Sequence, residues 1–273
     1  MQPSDLKPRS RQVGSWERIQ RWLVAAALAV PTLVLVWQAL ALEPTLPALT
    51  QADGAKAEAL HSLIEAVGPG EPVRIAFEYG PAEADELNAI ARPILMHLLE
   101  RDAHIVVVST RAEGLAMAES LQADIVSEGQ YTITYQSATY LPGGATGIAQ
   151  ALSTTDVQPR LQIVLTSQAN PLRWWIEQTQ VRRQMENEEL HLVAGISAGL
   201  EPVASPYLDQ RTRQLEGIIS GLSGAAAYEA RRGTVGQATQ MLNALAAGHV
   251  AMIAIMLVGA LIFVFGRRPG REA

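Results

Sequence analysis

The chain has 273 residues, no cysteine and a formal net charge of −6 at pH 7. Without cysteine there are no disulfides, no thiolate chemistry and no sulfur-ligated metal site. The acidic balance argues against nucleic acid and anionic lipid as partners, because phosphate contacts need clustered positive charge.

Two apolar runs lie near opposite ends of the chain, Trp22 to Leu42 and Leu245 to Phe265, and neither contains Asp, Glu, Lys or Arg. At about 1.5 Å of rise per residue each forms a helix of roughly 31 Å, which matches a hydrocarbon core of about 30 Å. The tails outside the runs hold 8 of the 21 basic side chains and 3 of the 27 acidic ones, leaving 13 and 24 between the runs. Basic residues next to a span resist translocation. The asymmetry therefore predicts both termini in the cytoplasm and the acidic middle outside the cytoplasmic membrane. Ala39-Leu40-Ala41 fits a signal-peptidase site, but the first run is longer than an h-region and contains Pro31, so a retained anchor is expected. The resulting division is a cytoplasmic basic tail (1–21), a first transmembrane helix (22–42), a stalk with an amphipathic helix (43–72), an extracytoplasmic α/β domain (73–233), a helix continuing into the second span (234–266) and a second basic tail (267–273).

In chain order, Pro44 and Pro47 mark the stalk. Leu60, Leu63, Ile64 and Val67 then share one face of a helix over Ala55 to Val67. Val73 to Phe77 reads as the first strand. Ala82 to Glu100 reads as a helix that Pro93 should kink or split. His104 to Ser109 is a β-branched strand, and Arg111 to Ala123 a helix. Tyr131 to Tyr135 alternates like a strand, and a helix follows near Ala145 to Leu152. Leu161 to Thr166 is a fourth strand, Pro171 to Glu186 a helix and Leu190 to Ala194 a fifth strand. A further helix is expected near Asp209 to Leu222. Thr234-Val235-Gly236-Gln237 has the form of a capping box and predicts one helix from Val235 to about Phe265, with a break near Gly248 as the alternative. Short strands alternating with helices predict a three-layer, doubly wound, mostly parallel sheet of about five strands, flanked by one transmembrane helix at each end.

Ligands of such sheets bind beyond the carboxyl ends of the strands. The candidate ligand-binding residues are accordingly Glu78, Tyr79, Ser109, Thr110, Gly143, Gly144, Ser167 and Ser197. Gly195-Ile196-Ser197-Ala198-Gly199 matches the G-x-S-x-G nucleophile elbow, but the required acid-then-histidine order leaves only His249, inside the second run. Pro142-Gly143-Gly144 precedes a helix, yet neither Walker nor G-x-G-x-x-G spacing is present. Glu83, Asp85 and Glu86 read as helix-dipole partners. Of the adjacent Trp174 and Trp175, which cannot share a helix face, one ring is expected buried and the other either exposed as an interface anchor or partly buried under Arg182 or Arg183. His61, His97, His104, His191 and His249 form no His-Glu-x-x-His or paired-histidine spacing, so neither metal nor cofactor is expected. Ala244, Ala247, Gly248 and Ala251 fit small-residue helix packing in a membrane. The reading is a non-enzymatic, membrane-anchored structural or interaction subunit, with other membrane subunits or further copies of itself as partners. The alternatives are a small-ligand-binding or sensory domain and, behind it, a serine hydrolase.

Overall fold

Central to the fold is a sheet of six parallel strands in the order β3-β2-β1-β4-β5-β6. The structure is a computed structural model and describes residues 23, 51–128, 137–154, 159–186, 190–209, 211 and 214–266. The strands are β1 (Pro72–Glu78), β2 (His104–Ser109), β3 (Ser137–Tyr140), β4 (Leu161–Thr166), β5 (His191–Ile196) and β6 (Gly217–Ser220). The principal helices are α1 (Gln51–Glu65), α2 (Ala84–Glu100), α3 (Ala112–Ser127), α4 (Ala145–Thr154), α5 (Ala169–Glu186), α6 (Glu201–Ala204), α7 (Gly221–Arg231) and α8 (Gln237–Gly266).

This strand order is that of doubly wound sheets. The chain leaves β1 in one direction and returns at β4 in the other, which creates a switch point between β1 and β4. The central strands read as unbroken apolar runs because both their faces are covered; all six residues of β4 are buried. One layer is built by α1, α2, α3 and α7, whose Leu60, Ile64, Ile90, Ile94, Leu121 and Tyr228 pack on Ile75, Ile163 and Val193. The other is built by α4, α5 and α6, with Ile148, Trp175, Ile176 and Ala204 packed on Ala76, Val164 and Ala194. Burying each of the Leu, Ile and Val side chains among them contributes roughly 1.5–3 kcal/mol.

Several sequence expectations change. The helix expected over 209–222 is instead strand β6 followed by helix α7. Leu215, Ile218, Ile219 and Leu222 have helical spacing, but four residues are too few to display strand alternation. Gly221 at φ +56 then starts a new element. The sheet thus has six strands rather than about five. The expected strand Tyr131 to Tyr135 lies outside the described residues, and the described β3 starts at Ser137. Pro93 does not split α2, which is one element from Ala84 to Glu100 with Pro93 buried inside it. Packing of Leu87, Ile90, Ile94 and Leu95 in the core offsets the lost backbone hydrogen bond.

Helix α8 begins at Gln237, and its amino end is capped by Glu229 of α7 rather than by Thr234. The buried Glu229 carboxylate accepts the N–H groups of Gly236, Ala238 and Thr239 at 2.9–3.1 Å and the Thr239 hydroxyl at 2.6 Å. A Cβ at Gly236 would lie 2.4 Å from that carboxylate, so glycine is required for the cap to close. Thr234 instead donates its hydroxyl to the Glu229 carbonyl at 3.3 Å. Such a cap typically contributes about 1 kcal/mol.

Among the described residues one helix is long and apolar enough to cross a membrane, over Gln237–Met256. Leu245, Val250, Met252, Ile253, Ile255 and Met256 along it are exposed. Apart from Leu23, the first apolar run lies outside the described residues.

Candidate functional site: the carboxyl ends of the strands

Because all strands run in parallel, Glu78, Ser109, Tyr140, Thr166, Ile196 and Ser220 end at one edge of the sheet. Glu78 is fully buried there. Its carboxylate accepts the Thr110 N–H at 3.1 Å, the Thr110 hydroxyl at 2.5 Å and the Trp175 indole N–H at 3.0 Å. This joins β1, the loop after β2 and helix α5 through one acceptor. Ser109 donates its hydroxyl to the Phe77 carbonyl at 2.6 Å and accepts the Arg111 N–H at 2.9 Å. Tyr79 is turned into the core, with its hydroxyl donated to Asn88 Oδ1 at 2.7 Å.

At the switch point itself lies Glu83. Its carboxylate accepts the Gly80 N–H at 3.0 Å, the Ser167 hydroxyl at 3.3 Å and the Gln168 amide at 3.4 Å, with an Arg111 guanidinium nitrogen at 3.9 Å. Partial burial alone would raise the Glu83 carboxyl. The Gly80 N–H, Gln168, Arg111 and Ser167 together hold it below the usual carboxylate range. Glu86, one turn further, accepts the Ala198 N–H at 2.9 Å and so fastens the loop after β5.

Doubly wound proteins bind phosphate with the free N–H groups at the start of the helix after β1. Here that position carries Pro81, which has no N–H, and the chain's own carboxylates at Glu83, Asp85 and Glu86 in the opening turns. A phosphate group would meet like charge in the place where it needs donors.

The remaining candidates separate. Gly143 and Gly144 have φ of +91 and +58. Both angles favour glycine, and at Gly144 a Cβ would also stand 3.0 Å from the Trp174 ring. Trp175 is fully buried and Trp174 half-buried. Neither is a freely exposed ring.

Ser197 follows β5 with its N–H on the Thr166 carbonyl at 3.3 Å, and a short 3-10 turn follows it rather than a long helix. Gly195, the first glycine of the elbow pattern, is explained by packing: a Cβ there would strike Leu165 and Ile90 at 2.6 and 2.8 Å. His104 and His191 begin their strands at the opposite edge of the sheet, and His249 bonds the Leu245 carbonyl within α8.

Of the eight sequence candidates, the structure therefore brings Glu78 and Thr110 into direct contact and joins Ser167 to Glu83. Glu83, Arg111, Gln168 and Trp175 belong to the same network and were not named from sequence as site residues. Gln168 left a signal as the polar neighbour of Ser167 at a strand end, and Glu83 as the fourth residue of Gly80-Pro81-Ala82-Glu83, a capping-box spacing with glycine in the cap position.

No protein-family model matches the chain, and comparison with curated proteins and with solved structures finds no match.

Proposed function

We propose that this chain is a membrane-anchored extracytoplasmic α/β domain that acts as a structural or interaction subunit of a membrane assembly. The observation that carries the reading is α8, a 30-residue helix that starts on the Glu229 cap and exposes the apolar side chains Leu245, Val250, Met252, Ile253, Ile255 and Met256. A soluble core helix would bury those side chains, and a signal sequence would stand near the amino terminus. The charge asymmetry of the tails, the apolar run at 22–42 and the basic Arg267, Arg268 and Arg271 support cytoplasmic termini and two spans. The strand-end edge supports a non-enzymatic role, because its carboxylates are committed to holding loops together. A small ligand there would have to displace Glu83 from Gly80, Ser167 and Gln168.

The test is the mass of the full-length protein extracted in mild detergent, measured by light scattering with the detergent subtracted. An interaction subunit elutes as a defined assembly well above the 29.4 kDa of one chain, with stoichiometric subunits or further copies of itself. A monodisperse monomer in every mild detergent contradicts the reading.

A further inference from the structure

The opposite edge of the sheet holds a convergent set of ligating groups. His61 and Glu65 lie one turn apart on α1, and His97 lies near the end of α2. One ligand atom from each falls within 4.8 Å of the other two. His97 is 3% exposed, yet its ring meets polar partners on both sides: Nε2 lies 2.9 Å from Glu65 Oε1, and Nδ1 lies 2.6 Å from the Tyr228 hydroxyl of α7. His61 Nε2 stands 4.0 Å from the same Glu65 oxygen, and the two imidazole centroids are 4.8 Å apart. The other carboxylate oxygen, Oε2, faces the Arg101 guanidinium at 3.6 Å, and Arg101 is itself tied to the Val67 carbonyl.

We propose that His61, Glu65 and His97 form a binding site for one divalent transition metal of the zinc class, which clips α1 to α2. Three properties of the cluster support this assignment. Two imidazoles and one carboxylate are a known zinc ligand set, with bonds of about 2.0–2.2 Å. Ligand atoms in a tetrahedron of that size lie roughly 3.3 Å apart. The pair His97 and Glu65, at 2.9 Å, lies slightly inside that spacing and His61 outside it, and small movements of the side chains bring all three to it. A hydrogen bond at the non-ligating nitrogen orients a metal-binding histidine, and Tyr228 makes that bond to Nδ1, while Arg101 holds the spare oxygen of Glu65.

A neutral imidazole can place its proton on either nitrogen, leaving the other free to bind metal. On binding, metal takes the place of the proton on Nε2, the neutral ring carries its proton on Nδ1 and donates it to the Tyr228 oxygen, and the Tyr228 hydroxyl hydrogen rotates away from the ring, with no net change in the protonation of His97. The nearby Arg101 disfavours a cation held by charge alone. Magnesium and calcium, which seek oxygen ligands, are therefore poor occupants compared with a metal that bonds imidazole. The fourth position is left to water.

The experiment uses the full chain in detergent, free of any affinity tag and stripped with EDTA, titrated with ZnCl2 by calorimetry and with CoCl2 by visible absorption. The expected result is one zinc per chain, a tetrahedral cobalt spectrum, a rise in Tm of a few degrees with excess zinc, and no response to MgCl2. His61→Ala and Glu65→Gln alter partly exposed positions. Each is expected to fold and to bind zinc at least tenfold more weakly, without the rise in Tm. Absence of stoichiometric binding by the wild type overturns the proposal, as does equal binding by both variants.

Discussion

The two edges of the sheet use the same residue types in opposite ways. At the carboxyl edge, Glu78, Glu83 and Glu86 each accept a backbone N–H from a loop, and Trp175, Ser167 and Gln168 complete the network. At the amino edge, the Glu65 carboxylate is shared by two imidazoles and a guanidinium. At the edge where doubly wound folds ordinarily bind ligands, Glu78, Glu83 and Glu86 are engaged with the chain's own loops, whereas the cluster of two imidazoles and a carboxylate lies at the other edge. Fold topology gives a prior for a site; the hydrogen-bond inventory decides which edge is available.

The sharpest way to break this comparison is Glu78→Ala. It leaves the buried Trp175 and Thr110 donors without an acceptor, and urea denaturation is expected to show a loss of about 3 kcal/mol. Glu78→Gln keeps one accepting oxygen and should lose about half as much. A cost for Glu78→Ala under about 1 kcal/mol would mean that the carboxyl edge is not held by this residue.

Much of this arrangement was legible in the sequence, and the missing parts have identifiable causes. Strands β1, β2, β4 and β5 announce themselves because buried parallel strands are continuous apolar runs. Strand β6 does not, since Leu215, Ile218, Ile219 and Leu222 imitate a helix face. Glu78 and Thr110 were legible as strand-end polar residues, but whether such a residue faces a crevice or binds a loop depends on partners more than thirty positions away. The same limit hid the amino-edge cluster: His61 and Glu65 are spaced one turn apart, while His97 comes from another helix.

A smaller effect tests closure by Trp174. Gly144→Ala forces a side chain onto a φ of +58 and against the Trp174 ring at 3.0 Å, and thermal unfolding is expected to register a loss of about 1–2 kcal/mol. Gly199→Ala serves as the control. A Cβ there meets nothing within 4 Å, and the change should stay within about 0.5 kcal/mol.

The smallest effect is in pH dependence, measured on metal-free protein. His97 titrates below its ordinary 6.5 in the folded state, chiefly through burial. The unfolded chain therefore takes up that proton first, and stability falls as pH drops below about 6.5. Glu65 is held below 4.5, mainly by its hydrogen bond to His97. Its contribution is present above that value and is lost as pH falls through its folded pKa. His97→Gln should remove the upper step and shrink the lower one. An unchanged profile would place the acid sensitivity elsewhere.

The absence of cysteine makes the central claim, a domain held outside the membrane with both termini inside, directly measurable. Single cysteines introduced as Ser4→Cys, Ser120→Cys and Ala273→Cys are exposed to a membrane-impermeant maleimide in cells with an accessible outer face of the cytoplasmic membrane. The account predicts labelling of Ser120→Cys in intact membranes, and of Ser4→Cys and Ala273→Cys only after permeabilisation. Labelling of all three in intact membranes, or of Ser120→Cys only after permeabilisation, would contradict it.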